Sequence, residues 1–376
     1  MRADGAPRAL RPGSDAPYRC LVGVGGIGAG IFFALEGNHD LGRNESRLAR
    51  LLDVRDYCKL HIVAHYPAVL LGARDDRGPF HVLPVGKVGV DEVGRRLRAE
   101  MEKAGMDVRF VDAVPGRPTL LSVCFQYPDG SGGNVTTADS AAALVAERDV
   151  DLAERWLSPR SIALAVPEVP LAVRRHLLRR AGERGALRAA SLATAEVEEA
   201  RDTGFLSLVD LLALNEDEAA ALAGTPFAPE APDPFLRRLA DAALALAPGM
   251  RLVVTAGACG AYALDGGGWA YTPALPVPVN STAGAGDALL GGLLAGLAAG
   301  LPFAVTGATR TSLAEGPLAT ALDLGALVAA FKVTSPHTIP PDLSLDSLLT
   351  FAREHGLRFS EDFVRLFPAE ATGARP

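Results

Sequence analysis

Cysteine is scarce in this chain. The four present, Cys20, Cys58, Cys124 and Cys259, are scattered with no metal-ligand spacing. That scarcity excludes a disulfide-stapled scaffold and reads as reduced thiols in a cytoplasmic protein. Basic blocks are also missing, and the net charge is −7, which argues against nucleic acid as a partner. No apolar run is long and uninterrupted enough to favour a membrane span over a buried helix. The most apolar stretch, 287–300, is too short for one and too rich in glycine. Residues 1–17 hold Arg, Pro and Gly but no apolar h-region, so they read as a flexible leader and not as a signal peptide. No internal repeat is present.

What is there is a chain of 376 residues, 49% hydrophobic, long enough for a large core in one big α/β domain or two ordinary ones. Its most informative stretch is 280–300. Asn280-Ser-Thr-Ala-Gly-Ala-Gly-Asp287 is a turn of small residues, and a long apolar run follows that reads as a buried helix. Glycines let a ligand approach the backbone. The first amides of a helix have no partner within it, and with the helix dipole they form an anion site. A carboxylate there, Asp287, can take the proton of a hydroxyl that attacks a phosphate. The competing reading is a Gly-rich loop with Asp287 as a helix cap.

Along the chain, Arg19–Val22 reads as a strand followed by Gly23-Val-Gly-Gly-Ile-Gly28, a Gly-x-Gly-x-x-Gly pattern that a dinucleotide-binding dehydrogenase would also show. Residues 36–47 form a dense polar loop. Ser46–Leu71 shows helical spacing, with Pro67 bending or ending part of it. His61 and His65 lie one helical turn apart, where a metal pair would sit, but further ligands are lacking and packed histidines are the alternative. Residues 84–112 give strand, amphipathic helix and strand, and 110–135 alternate strand-like runs with turns, as in a hairpin. From 140 to 260 strands and helices alternate, which argues for a parallel sheet covered by helices on both faces. Asn215 and Glu218 stand one helical turn apart at a strand end, where they can organise a magnesium ion beside a phosphate; an acidic first helical turn is the alternative.

The run Ser281-Thr-Ala-Gly-Ala-Gly-Asp287, with Gly291-Gly292, resembles the second signature of the ribokinase/PfkB-type carbohydrate kinase family. The resemblance implies a ribokinase-like three-layer αβα fold with a mostly parallel central sheet and a small β lid. It implies a kinase domain over 18–343, a lid from about 108–135, and an extra helical extension over 344–376, which could pack on the domain or on a second subunit of a homodimer. It implies ATP-dependent transfer to a hydroxyl of a sugar or related small alcohol. Gly284, Ala285 and Gly286 would form the anion hole and Asp287 would be the base. Thr255, Gly257 and Gly260 resemble the family's nucleotide turn, with Thr282 also on the nucleotide, and Asn215 and Glu218 match its Asn-x-x-Glu motif for Mg²⁺. Two departures stand out. Ser281 replaces the usual Asp, which puts a monovalent cation in doubt. The sugar-clamping Asp of the first strand is missing, with no Asp at Gly28–Gly30, which leaves Gly42, Arg43 and Asn44 as the nearest substrate residues. An NAD-dependent oxidoreductase on Gly23–Gly28 and a non-catalytic sugar- or nucleotide-binding relative are the rival readings.

Overall fold

The computed structural model describes residues 8–74, 78–128, 132–266, 268–307 and 310–368. The first half of the chain gives β1 (Cys20–Val24), β2 (Gly28–Leu35), β3 (Ala49–Tyr57), α1 (Lys59–Leu70), β4 (His81–Gly89), α2 (Glu92–Lys103), β5 (Phe110–Val114), β6 (Leu120–Gln126) and β7 (Gly132–Thr136). Next come α3 (Glu147–Ala153), β8 (Ser161–Ala165), α4 (Leu171–Glu183), β9 (Leu187–Ser191), α5 (Val197–Asp202), β10 (Leu211–Asn215), α6 (Glu216–Ala223), α7 (Pro232–Leu246) and β11 (Arg251–Thr255). The remainder is β12 (Ala261–Asp265), β13 (Gly268–Thr272), α8 (Ala285–Ala299), β14 (Pro317–Leu318), α9 (Ala321–Val333), α10 (Leu345–Glu354), β15 (Arg358–Phe359) and α11 (Glu361–Val364).

Nine strands form one sheet in the order β13-β12-β11-β10-β9-β8-β1-β4-β5, parallel except at the β11-β12-β13 edge. Its central strands are buried on both faces, so they read as unbroken apolar runs such as Ser161-Ile-Ala-Leu-Ala165. Two apolar cores flank it. One lies under α1, α8 and α9, the other under α4, α6 and α7. Helices α8 and α9 approach so closely that a Cβ on Gly292 would lie 2.9 Å from Val328 Cγ2. The glycines of the Gly-rich run are there for that approach as much as for the turn before it.

The second sheet, β3-β2-β6-β7, is the lid. It corrects two expectations. Residues 49–57 are a strand and not the start of a helix, because they pair antiparallel with β2 from Ala29↔Tyr57 to Leu35↔Ala49, and the helix begins only at Lys59. Phe110–Val114 belongs to the main sheet beside β4, so the lid draws on 28–57 and 120–136 instead of 108–135 alone. The leader also differs from expectation. Residues 1–7 lie outside the described residues, but Leu10 is buried, its amide donates to Leu70 O, and Arg11 N donates to Leu366 O. The tail packs on its own domain: Leu345, Leu348, Phe351 and Phe363 enter the core, and β15 pairs with β14.

The Gly23–Gly28 pattern leads from β1 into β2, a strand. A dinucleotide fingerprint needs a helix N-terminus at that point to receive the pyrophosphate. None follows here, which overturns the dehydrogenase reading.

Candidate active site

The parallel strands of the main sheet end along one edge, where ligands of such sheets bind. The turn before α8 lies there. Gly284 adopts φ +76 as the N-cap, a conformation that favours glycine, and it does so against Thr338, whose Cβ would be 3.2 Å from a Cβ at 284. Ala285 N donates to Thr282 O and Ala288 N to Gly284 O. The amides of Gly286 and Asp287 donate to no backbone group among the described residues. Asp287 stands in this first turn, half-buried, with Lys59 Nζ 3.4 Å from its Oδ1. Lys59 is the first residue of α1, so the ion pair ties the end of β3 to the turn before α8.

Three further carboxylates gather here. Glu218 is only 7% exposed and is electrostatically coupled to Lys59 and Asp287. Burial raises its pKa above the usual carboxylate value, against the pull of Lys59. Its Oε2 accepts from Asn215 N while Asn215 Oδ1 accepts from Glu218 N, so the pair also caps α6. Both the metal and the helix-start readings of the Asn-x-x-Glu motif therefore describe the same side chains. Glu168 follows β8 and is the one non-glycine residue with positive φ, +76, among the described residues. Strain of that kind costs about 1–3 kcal/mol and clusters at functional sites. Glu168 Oε2 accepts from Lys59 N at 3.0 Å, and burial pushes its carboxyl up to about 7. Asp56, at the end of β3, is pushed up to about 6 by burial, with the Thr338 hydroxyl and the Tyr57 amide opposing.

A second ammonium completes the group. Lys332, near the end of α9, is fully buried, and its Nζ donates to Ser281 O at 2.8 Å. Burial lowers it to about 8, against the attraction of Asp56. The segment after α9 braces the lid strand as well. His337 Nδ1 accepts from Arg55 N at 3.0 Å, Thr338 Oγ1 accepts from Tyr57 N at 3.1 Å, and Tyr66 Oη donates to Thr338 O.

The structure brings Thr255 to the turn before α8, since a Cβ on Gly286 would meet its Oγ1 at 3.4 Å. Thr282 is exposed on the same turn. Gly257, at φ +51, faces open space, whereas a Cβ on Gly260 would lie 2.3 Å from Thr272 O. Gly260 is thus required by strand packing. Gly42, Arg43 and Asn44 are not brought to Asp287. They are exposed in the loop joining β2 to β3, where Leu41 N reaches Tyr127 Oη just past the end of β6. The eight-residue strand β2 separates them from its Gly28 end by about 20 Å at the usual rise per residue. His61 and His65 stack, with ring centroids 5.8 Å apart and Tyr57 4.4 Å from His61. No group of three or more His, Cys, Asp or Glu residues poised to hold a metal occurs among the described residues.

Residues 71–344 match the pfkB family carbohydrate kinase domain. The chain belongs to that family. It is 30% identical over 232 residues to a fructokinase of Klebsiella pneumoniae, covering 58% of this chain and 72% of that protein. Among solved structures it resembles Arabidopsis thaliana ribokinase complexed with ribose and ATP, with TM-score 0.66, 19% identity, and coverage of 89% of this chain and 98% of that one. It also resembles a Burkholderia thailandensis nucleoside kinase in complex with inosine, with TM-score 0.65, 16% identity, and coverage of 90% and 99%. The kinase fold is therefore ribokinase-like. Of the residues that gather around Asp287, sequence reasoning gave no role to Lys59, Asp56, Glu168 or Lys332. Only Glu168 left a signal, a carboxylate between two prolines just past a strand, Pro167-Glu-Val-Pro170.

Proposed function

We propose that this kinase transfers the γ-phosphoryl group of ATP to a hydroxyl of a sugar or related small alcohol, with Asp287 as the general base. The observation that carries the reading is the conjunction at the start of α8: amides at Gly286 and Asp287 with no backbone partner among the described residues, and a half-buried carboxylate in the same turn, held by Lys59. In the Gly284–Gly286 turn the amide of Gly286, with that of Asp287 beside it, presents main-chain donors to the charge that builds on the transferring oxygens, while Ala285 N closes the turn on Thr282 O. Thr255, Thr282 and Gly257 border the approach of the nucleotide. Asp287 takes the acceptor's proton as its oxygen attacks. Lys59 orients that carboxylate.

Asn215 and Glu218 fit a Mg²⁺ ion held mostly through its own waters. Glu218 is buried beside Asp287 and retains a carboxylate oxygen beyond the one that caps α6. When bound, the ion would neutralise phosphate charge. A Mg²⁺ ion of this kind keeps several waters and needs few protein ligands.

The deciding experiment is turnover with ATP, magnesium and a panel of sugars and nucleosides, in the parent and in Asp287→Asn. The substitution should lower kcat by roughly 10²-fold or more, the scale of general-base catalysis, with ATP binding retained. Near-parental turnover in the Asn variant would sink the assignment.

A further inference from the structure

The inference rests on the kinase reading above and concerns how the acceptor is recognised. The turn after β1 carries a glycine at 26 and β2 carries one at 30, where no side chain can reach a ligand. Their space is not empty. A Cβ built on Gly26 would lie 2.3 Å from Glu168 Oε2, and one built on Gly30 would lie 1.7 Å from Asp56 Oδ2. Two carboxylates therefore occupy the volumes that side chains of this stretch would fill. Asp56 is delivered by β3, where it is the direct antiparallel partner of Gly30. It is electrostatically coupled to Asp287, and Lys332 attracts it from the turn side.

We propose that Asp56 is a specificity-determining residue, whose carboxylate, opposite Gly30 and together with Glu168, grips hydroxyls of the acceptor and aims a neighbouring hydroxyl at Asp287. A carboxylate has room for about four hydrogen bonds. The Tyr57 amide is spent on Thr338 Oγ1 and the Thr338 hydroxyl on Arg55 O, so these neighbours leave acceptor positions on Asp56 for a polyol. A desolvated carboxylate with vacant positions is costly, and a substrate hydroxyl that fills them is correspondingly selected. The exposed loop at 42–44 is then relieved of the role.

The alternative, that Asp56 only braces Thr338, predicts damage spread over all kinetic constants. The test uses the full-length enzyme with ATP and D-fructose, D-ribose or inosine as acceptor. Asp56→Asn should raise the acceptor KM between about tenfold and a hundredfold, the range of a hydrogen bond to a charged group, and leave the ATP KM within about twofold. A double variant, Asp56→Gly with Gly30→Asp, returns a carboxylate to the same space from the facing strand and should recover part of the acceptor KM. An unchanged acceptor KM in Asp56→Asn, or equal losses in the acceptor and ATP constants, overturns the proposal. If the parent phosphorylates none of the three, the kinase reading is what fails. Calorimetric binding of the same compounds without ATP then decides the clamp: weaker binding by Asp56→Asn supports it, and equal binding, or none by either protein, overturns it.

Discussion

At the scale of single residues, the site works by crowding opposite charges. Among the described residues, Asp56, Glu168, Glu218 and Asp287 share it with two ammonium groups, Lys59 and Lys332. Lys59 shows the consequence most directly. Asp287 first, then Glu218 and Glu168, hold its pKa above the ordinary lysine value although burial pulls the other way. An excess of carboxylates suits a site that receives a metal–nucleotide complex. Glu218 is the residue that separates the two readings of the Asn-x-x-Glu motif. Glu218→Gln keeps the Asn215 amide bonded and so spares the helix cap, but it removes a charge from the metal's surroundings. The magnesium concentration for half-maximal rate should rise severalfold, measured by titrating Mg²⁺ at fixed ATP. An unmoved curve would leave Glu218 a helix cap and nothing more.

At the scale of elements, the end of α9 is the piece that joins the small sheet to the turn before α8. Val333 O accepts from Asn280 N and Ser281 N, Lys332 bonds Ser281 O, and His337 and Thr338 take the backbone of Arg55 and Tyr57. A movement of β3 is therefore felt at residues 280–284 through one short segment. Ser281 carries no charge to hold a monovalent cation, and a tethered ammonium, Lys332, already binds its carbonyl. Activity should accordingly be the same in potassium and in choline salts at equal ionic strength. Lys332→Met should lower kcat and leave a polar gap that added ammonium or potassium partly fills. A parent enzyme activated severalfold by potassium would refute this.

At the scale of the whole molecule, burial of titratable groups makes stability depend on pH. His61 and His65 lie inside α1, where both ring nitrogens of His61 and Nδ1 of His65 find no hydrogen-bond partner among the described residues, and burial holds both histidines below the usual value, His65 at about 4. The unfolded chain takes up protons near pH 6.5 that the folded chain refuses. Their contribution is therefore intact above about pH 6.5 and is lost as pH falls toward 4, at about 1.4 kcal/mol per unit for each histidine. Glu168 and Asp56, raised by burial, act with the opposite sign: the fold gains on their account as pH falls from about 7 toward the ordinary carboxylate range. The readout is consequently a difference. Denaturant unfolding at pH 7.5 and 5.5 should show a larger loss for the parent than for His61→Phe/His65→Phe, and equal losses would refute the assignment.

The sequence by itself determined the parts whose geometry is local. The small-residue turn before α8, the carboxylate at Asp287, the Asn215–Glu218 spacing and the strand–helix alternation all follow from neighbouring residues and backbone chemistry, and each stands in the fold as a contiguous stretch. Tertiary structure decided everything that depends on distant partners. Residues 49–57 carry a pattern that a helix could also use, and only pairing with β2 makes them a strand. Lys59 meets Asp287 across 228 positions, and Tyr57 meets Thr338 across 281. Asp56 comes into the site only because glycine stands opposite it on β2. A lone lysine or aspartate has no local signature, because its role is set by the charge and the vacant volume that folding brings beside it.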